Sequence, residues 1–323
     1  MSAGMQAYAD ELAARLPRVA PDLRFESFVR SSTLSPDEQI GLPLRLRRAH
    51  AGLVHFLSLY APLFAPRPYV VTIHDLIHVR FPEQFKRSVR PYYAIVVRAV
   101  CAGAARVVTD DERTVADLER FLGVSPSKVR VIPLGVDPAF FADVATAPPS
   151  RPYFLYVGNH RAHKDLPTLF AAWEELPPEI DVDLVLTGAD DLPAGMRRPR
   201  RSGSSLRFAG EVSIEVLRGL YHNALGLVSA SLCEGFGLPL LEAAAVGTPV
   251  LASTEAIPRT LRPYVDGFAP RDVRALSKLM EGAARLPGPR EEARRFARTQ
   301  TWDRCAQRTA EVYREVLAEN KPR

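Results

Sequence analysis

Apolar residues fall into short runs separated by longer stretches of helical periodicity. Ala7 to Leu16 repeats at helical spacing and predicts a helix. Leu23–Val29, Leu53–Leu59, Tyr69–Ile73, Arg106–Thr109 and Val129–Pro133 are short and rich in β-formers, and Tyr93–Ala102 and Thr114–Phe121 read as helices between some of them. Phe140–Pro152 is rich in Ala, Pro and Ser, has little periodicity and reads as a linker. The alternation then resumes. Tyr153–Val157, Val182–Thr187, Leu206–Ala209, Leu225–Ser229 and Pro249–Ala252 are expected strands. Leu166–Glu175, Ile214–Asn223, Leu238–Val246, Arg271–Arg285 and Trp302–Leu317 are expected helices.

Strand alternating with helix predicts an α/β protein built on doubly wound parallel sheets. Three segments result: a first domain over 1–145, a second over 151–301, and a closing helix over 302–323. Ligands of such sheets bind at the carboxyl ends of the strands, so a cleft between the domains is the expected site.

Composition narrows the function classes. The 323 residues are 47% hydrophobic and 24% charged, which excludes a disordered or collagen-like chain. No apolar run is long enough to span a membrane, and Met1-Ser2-Ala3-Gly4 lacks a signal peptide's basic and apolar regions. Cys101, Cys233 and Cys305 lie far apart with no CxxC pair, which argues against a disulfide framework or a cysteine zinc site and fits a reducing cytoplasm. The net charge is +5, but both signs are interspersed and no nucleic-acid motif occurs, so no nucleic-acid partner is expected.

The richest chemistry lies in Glu234-Gly235-Phe236-Gly237-Leu238-Pro239-Leu240-Leu241-Glu242, a glycine-bearing loop running from a strand into a helix. Free N–H groups at the helix start suit a phosphate, and the glycines let a ligand approach the backbone. Glu234 precedes the loop and Glu242 lies about one turn into the helix, so the two carboxylates suit the hydroxyls of a ligand lying across it. Solvated acids at an ordinary helix start remain the plain alternative. His74 and Asp75 close an apolar strand and are expected to reach the cleft. Asp181-Val182-Asp183 fits a DxD pattern but opens a strand and reads as solvated strand-end residues, and Arg197–Arg201 reads as a solvated basic loop.

The loop resembles the EGFGLPxLEA signature of the retaining glycosyltransferases of family four, which have the GT-B fold. Further stretches resemble family landmarks in order: Val71–Leu76 with Phe81-Pro82, Val131–Asp137, Tyr156–Leu166, Gly247–Val250 and Thr301-Trp302. The resemblance covers almost the whole chain. It implies two Rossmann-like domains facing a cleft, with the C-terminal helix returning toward the first. It implies that Glu234 contacts hydroxyls of the donor sugar, Glu242 the ribose, and Lys164 the diphosphate, with Arg161 as a helper. The backbone from Phe236 to Leu238 would cradle the phosphate, beside Gly158 and Asn159. His74 and Asp75 would lie near the acceptor or the transferred sugar. Catalysis would then rest on Glu234, Lys164 and His74, with no metal, no other cofactor and no protein nucleophile. Asn159 and His163 stand where many relatives carry arginine, and Asp111 stands where many carry serine, with a helix N-cap as its plain role.

The activity so implied is transfer of a sugar, mannose favoured, from a nucleotide sugar such as GDP-mannose to a glycan or lipid-linked acceptor, as in cell-surface polysaccharide synthesis. A non-catalytic glycan- or nucleotide-binding scaffold and a nucleotide-sugar epimerase are the alternatives. Arg45–Arg48 and Lys86–Tyr93 place positive charge and aromatic rings in the first domain, a pattern that suggests peripheral membrane contact from the cytoplasmic side. Relatives open with a β-strand, and Ser2–Tyr8 already resembles the loop and helix start that follow it. The first domain is therefore expected to lack that strand, through a late start codon or a truncation.

Overall fold

Val70, Val71, Val107 and Val108 are all but fully buried, as expected of strands covered on both faces. They belong to one of two sheets in the computed structural model, which describes residues 3–28, 35, 37–85, 87, 89–142, 149–193 and 195–320. The chain divides into two compact units, one of Met1–Gly135 with Trp302–Arg323 and the other of Val136–Thr301.

The first unit carries β1 (Val54–Phe56), β2 (Tyr69–Thr72), β3 (Arg106–Thr109) and β4 (Val129–Val131), all parallel and adjacent in that order. Among the described residues its strands advance in one direction without reversal. Leu23–Val29 departs from expectation: residues 23–28 form no strand, and Val29 lies outside the described residues. The helix predicted from Ala7 extends over Ala3–Val19 and buries Tyr8, Leu12 and Leu16. It packs against the closing helix Trp302–Glu319. That helix buries Trp302, Cys305, Ala306, Thr309, Val312, Tyr313 and Val316, a stripe of one helical face. Its Glu315 accepts from both Arg106 and Arg130, at the starts of β3 and β4. The closing helix is thus part of the first unit, not a separate segment.

The second unit carries β5 (Tyr153–Tyr156), β6 (Asp183–Leu186), β7 (Leu206–Phe208), β8 (Gly226–Ser229), β9 (Val250–Ser253) and β10 (Asp266–Phe268). Their order is β10-β9-β8-β5-β6-β7, all parallel. The chain starts at β5, winds out to β7, then returns to β8 on the other side of β5. This is the doubly wound order, and its switch point lies between β5 and β8. Trp173, Phe154, Leu169 and Leu276 fill the core between sheet and helices.

Several expectations shift here. The second unit begins at Val136, so the segment expected to be linker partly belongs to it: Pro138–Phe141 forms a 3-10 turn with Phe140 buried. Residues 143–148 of that segment lie outside the described residues. The basic loop is not simply solvated. Arg201 donates to the carbonyls of Leu176, Pro177 and Ile180 at 2.6–2.7 Å and so caps the segment that ends the helix Leu166–Glu174. Asp183 is not solvated either. It is 2% exposed, accepts the Ser205 N–H at 2.8 Å and pairs with Arg207 at 3.3 Å.

Candidate active site

Two side-chain constellations stand out, one in each unit, and each sits at the carboxyl ends of its strands. In the second unit the switch point brings together the loop after β5 and the loop after β8. Tyr156, at the end of β5, donates its hydroxyl proton to the Asn159 carbonyl and shapes the turn through Gly158. The Gly158 N–H donates to Thr187 Oγ1 at 3.2 Å. A 3-10 turn, Ala162–Lys164, then aims Lys164 back at the sheet, and the Leu232 N–H donates to the His163 carbonyl at 2.8 Å to join the two loops.

Lys164 Nζ donates to Glu234 Oε1 at 2.6 Å, and Ser231 Oγ donates to the same oxygen at 2.7 Å. Burial alone would push the Glu234 carboxyl up. Lys164, Ser231 and nearby His163 outweigh it and hold that carboxyl below its ordinary value. The site therefore holds a preformed ion pair. Gly237 caps the helix Leu238–Val246 with φ +78°, a left-handed conformation that favours glycine, and Pro239 occupies the first turn. Phe236 is buried, while Gly235 and Leu238 are partly exposed, so the loop offers backbone rather than the Phe236 ring.

Glu242 lies on that helix. Tyr221 donates its hydroxyl proton to Glu242 Oε2 at 2.8 Å, yet burial pushes the carboxyl up to about 7. Arg161 and Asn159 are exposed, and the Arg161 side chain has no partner among the described residues. His163 is buried, so its influence on Glu234 is exerted within the protein rather than from solvent.

In the first unit His74 and Asp75 follow β2. His74 Nδ1 lies 2.7 Å from Asp110 Oδ2, and its Nε2 lies 3.3 Å from the Leu57 carbonyl oxygen. Tyr8 stands edge-on to the imidazole with ring centroids 4.8 Å apart. Asp75 Oδ1 accepts the Ile77 N–H at 3.0 Å and shapes the turn that follows, so its carboxylate is partly engaged by backbone. Asp111 accepts the Arg113 N–H and caps the helix Glu112–Leu122, the plain role expected of it. Ser231 and Tyr221 carry no motif signal, and Tyr8 and Asp110 lie in stretches that resemble family landmarks without any role being expected of them. Only the fold brings them to these sites.

Two family models match the chain: residues 5–140 match "Glycosyltransferase Family 4" and residues 151–284 match "Glycosyl transferases group 1". The chain belongs to glycosyltransferase family 4. The chain is 30% identical over 294 residues to the D-inositol 3-phosphate glycosyltransferase of Salinispora tropica, a match covering 79% of this chain and 61% of that protein. It is 34% identical over 178 residues to the O-antigen chain mannosyltransferase B of Escherichia coli, covering 50% of this chain and 45% of that one. The chain thus spans less than two thirds of the length of these curated relatives. Among solved structures, Anabaena HepE in complex with UDP-glucose shares the fold at a TM-score of 0.70 and 16% identity, covering 98% of this chain and 97% of that one. The chain thus has the two parallel-sheet, Rossmann-like units of the GT-B fold.

Proposed function

We propose that this chain is a retaining hexosyltransferase. It moves a sugar, mannose favoured, from a nucleotide sugar such as GDP-mannose to a glycan or lipid-linked acceptor in polysaccharide synthesis. The observation that carries this reading is the 2.6 Å Lys164–Glu234 pair beside the Gly237 helix start, at the switch point of the second sheet. A fixed cation and free N–H groups at one point suit a diphosphate. The relative named as an O-antigen chain mannosyltransferase supports mannose.

The chemistry follows from that arrangement. As the bond from the sugar's anomeric carbon to the diphosphate oxygen breaks, negative charge grows on the leaving nucleoside diphosphate. Lys164 and the N–H groups of the Gly235–Leu238 loop stabilise that charge without a metal. The acceptor hydroxyl attacks the same face and gives its proton to the departing phosphate, so no protein nucleophile is needed. Glu234 accepts hydroxyls of the sugar, and Glu242 accepts the ribose hydroxyls. His74 and Asp75 serve the acceptor or the transferred sugar.

The cytoplasm is the proposed compartment, where the three buried free thiols stay reduced. Among the described residues no helix is long and apolar enough to cross a membrane. Peripheral contact is the proposed mode instead. Ile40, Phe64 and Ile95 are 63%, 77% and 67% exposed in the first unit, and Arg47, Arg48 and Arg90 are exposed in the same unit. The Leu63 N–H donates to Gln39 Oε1 at 3.1 Å, which sets the Leu63-Phe64 tip beside Ile40. Apolar tips among arginines suit an anionic lipid surface.

Release of nucleoside diphosphate from a panel of GDP- and UDP-sugars tests the activity. Turnover of one donor, lost in Glu234→Ala, is the expected result. No turnover with any donor, together with no nucleotide binding by calorimetry, overturns it.

A further inference from the structure

We propose that Asp110 is a positioning residue for the transfer reaction: it holds His74 with protons on both ring nitrogens and so presents Nε2–H to a substrate oxygen. The proposal rests on the reading of His74 as a group on the transfer side. Its geometric basis does not.

Both neighbours of the imidazole are acceptors. Nδ1 faces the Asp110 carboxylate at 2.7 Å, and Nε2 faces the Leu57 carbonyl at 3.3 Å. A carbonyl cannot donate, so Nε2 carries a proton; burial raises the Asp110 carboxyl while the His74 charge and hydrogen bond lower it, and with Asp110 ionised Nδ1 must carry a proton as well. The two contacts are unequal. The bond to Asp110 is short enough to be charge-assisted. The bond to Leu57 is beyond the usual N–H···O range, so its hydrogen is loosely held and free to turn to a better acceptor.

The ring is fixed in plane as well as in charge. Tyr8, which stands edge-on to it, is held by a 3.2 Å hydrogen bond between its hydroxyl and Thr72 Oγ1. The groups facing His74 are Asp110 from the end of β3, Asp75 from the same turn, His55 from β1 and Tyr8 from the first helix. Burial works against charge on His74, but Asp110, followed by Asp75, outweighs it and raises the imidazole above its ordinary value.

Asp110 itself has a feature that packing does not explain. It is 2% exposed, and its Oδ1 is buried with no hydrogen-bond partner among the described residues. A buried acid with one idle oxygen is unfavourable, and a hydrophobic residue would fill the place without that penalty. Such a group is accounted for when its other oxygen holds a reacting neighbour in register, the role of a carboxylate behind a histidine.

The test is an NMR titration of the imidazoles in the full chain, paired with a pH–rate profile. At pH 6.5, where an ordinary histidine is about half protonated, the nitrogen shifts of wild-type His74 should show both nitrogens protonated in most molecules. A mostly neutral ring there overturns the proposal and needs no variant. In Asp110→Asn, His74 should lose affinity for its proton by about tenfold or more, and an unchanged titration in a folded variant overturns the tie. In the transfer assay Asp110→Asn should lower kcat more than it raises the donor KM, and the alkaline limb should move to lower pH. A shifted titration with an unmoved profile overturns the positioning role. If wild type turns over no donor, the functional reading fails, and the positioning role falls with it. The titration still decides the tie between Asp110 and His74.

Discussion

The ammonium of Lys164 and the carboxylate of Glu234 meet at 2.6 Å across two loops that the sequence keeps 70 residues apart. The side chains are only 12% and 15% exposed. Each charge therefore depends on the other, and both stand where a diphosphate would arrive. Lys164→Ala should leave Glu234 buried and unpaired, at a cost of about 2–4 kcal/mol of stability. It should also lower kcat/KM about 10²–10³-fold, the scale for losing one group aimed at developing charge. The double variant Lys164→Ala/Glu234→Ala should recover stability without recovering rate. Urea unfolding and diphosphate release, measured on the same three proteins, check both halves.

Glu242 should give the second unit an unusual pH response. Its carboxyl is raised to about 7 by burial from an ordinary 4.5. The folded state therefore holds a proton that the unfolded state releases. That stabilisation is full below pH 4.5 and is lost as pH rises to about 7, a change of about 3 kcal/mol. Thermal unfolding from pH 5 to 8 should show this slope in wild type and lose it in Glu242→Gln. Ribose hydroxyls donate to the ionised form, so nucleotide affinity should rise over the same window. Calorimetry at pH 6 and pH 8 reads that directly.

Arg201 should behave as a core residue despite its basic neighbours. It donates to three carbonyls between Leu176 and Ile180 at 2.6–2.7 Å. Arg201→Ala should cost about 2–3 kcal/mol, because carbonyls lose a charged donor. Arg200→Ala should cost far less, since its side chain is exposed. Chemical denaturation of the two variants separates these outcomes.

Strands buried on both faces were plain in the sequence because Val70-Val71 and Val107-Val108 are continuous apolar pairs, and the glycine-bearing loop was plain because its chemistry is contiguous. Leu23–Val29 is β-rich, yet residues 23–28 form no strand, because β-propensity describes a residue's fit to a sheet and supplies no partner strand. The helix Glu291–Arg298 leaves little pattern because it buries only Ala293 and Ala297, and its other residues apart from Phe296 are charged. β10 leaves no trace in the sequence pattern because it has three residues, one of them a glycine. The partners of the site residues were invisible for another reason. Tyr8 meets Thr72 across 64 positions, and Asp110 meets His74 across 36, distances over which local pattern carries no information.

A longer link yields the last prediction. Tyr313 on the closing helix shares a 2.6 Å hydrogen bond with His55 Nδ1, and His55 Nε2 lies 2.8 Å from Thr72 Oγ1. Burial, followed by the His74 charge, pushes His55 down to about 3, so it is neutral in the folded state. A depressed value stabilises above the ordinary 6.5, and that stabilisation is lost as pH falls toward about 3. Neutral His55 has one N–H and one bare nitrogen, so Tyr313 and Thr72 must play complementary donor and acceptor roles. Tyr313→Phe removes one partner and should cost about 1–3 kcal/mol by orphaning a buried ring nitrogen. His55→Phe with Tyr313→Phe removes both polar groups at that contact and should cost less than the sum of the single changes. A double-mutant cycle on thermal unfolding at pH 7 measures the coupling, and strict additivity would show that the His55–Tyr313 hydrogen bond contributes nothing to holding the closing helix.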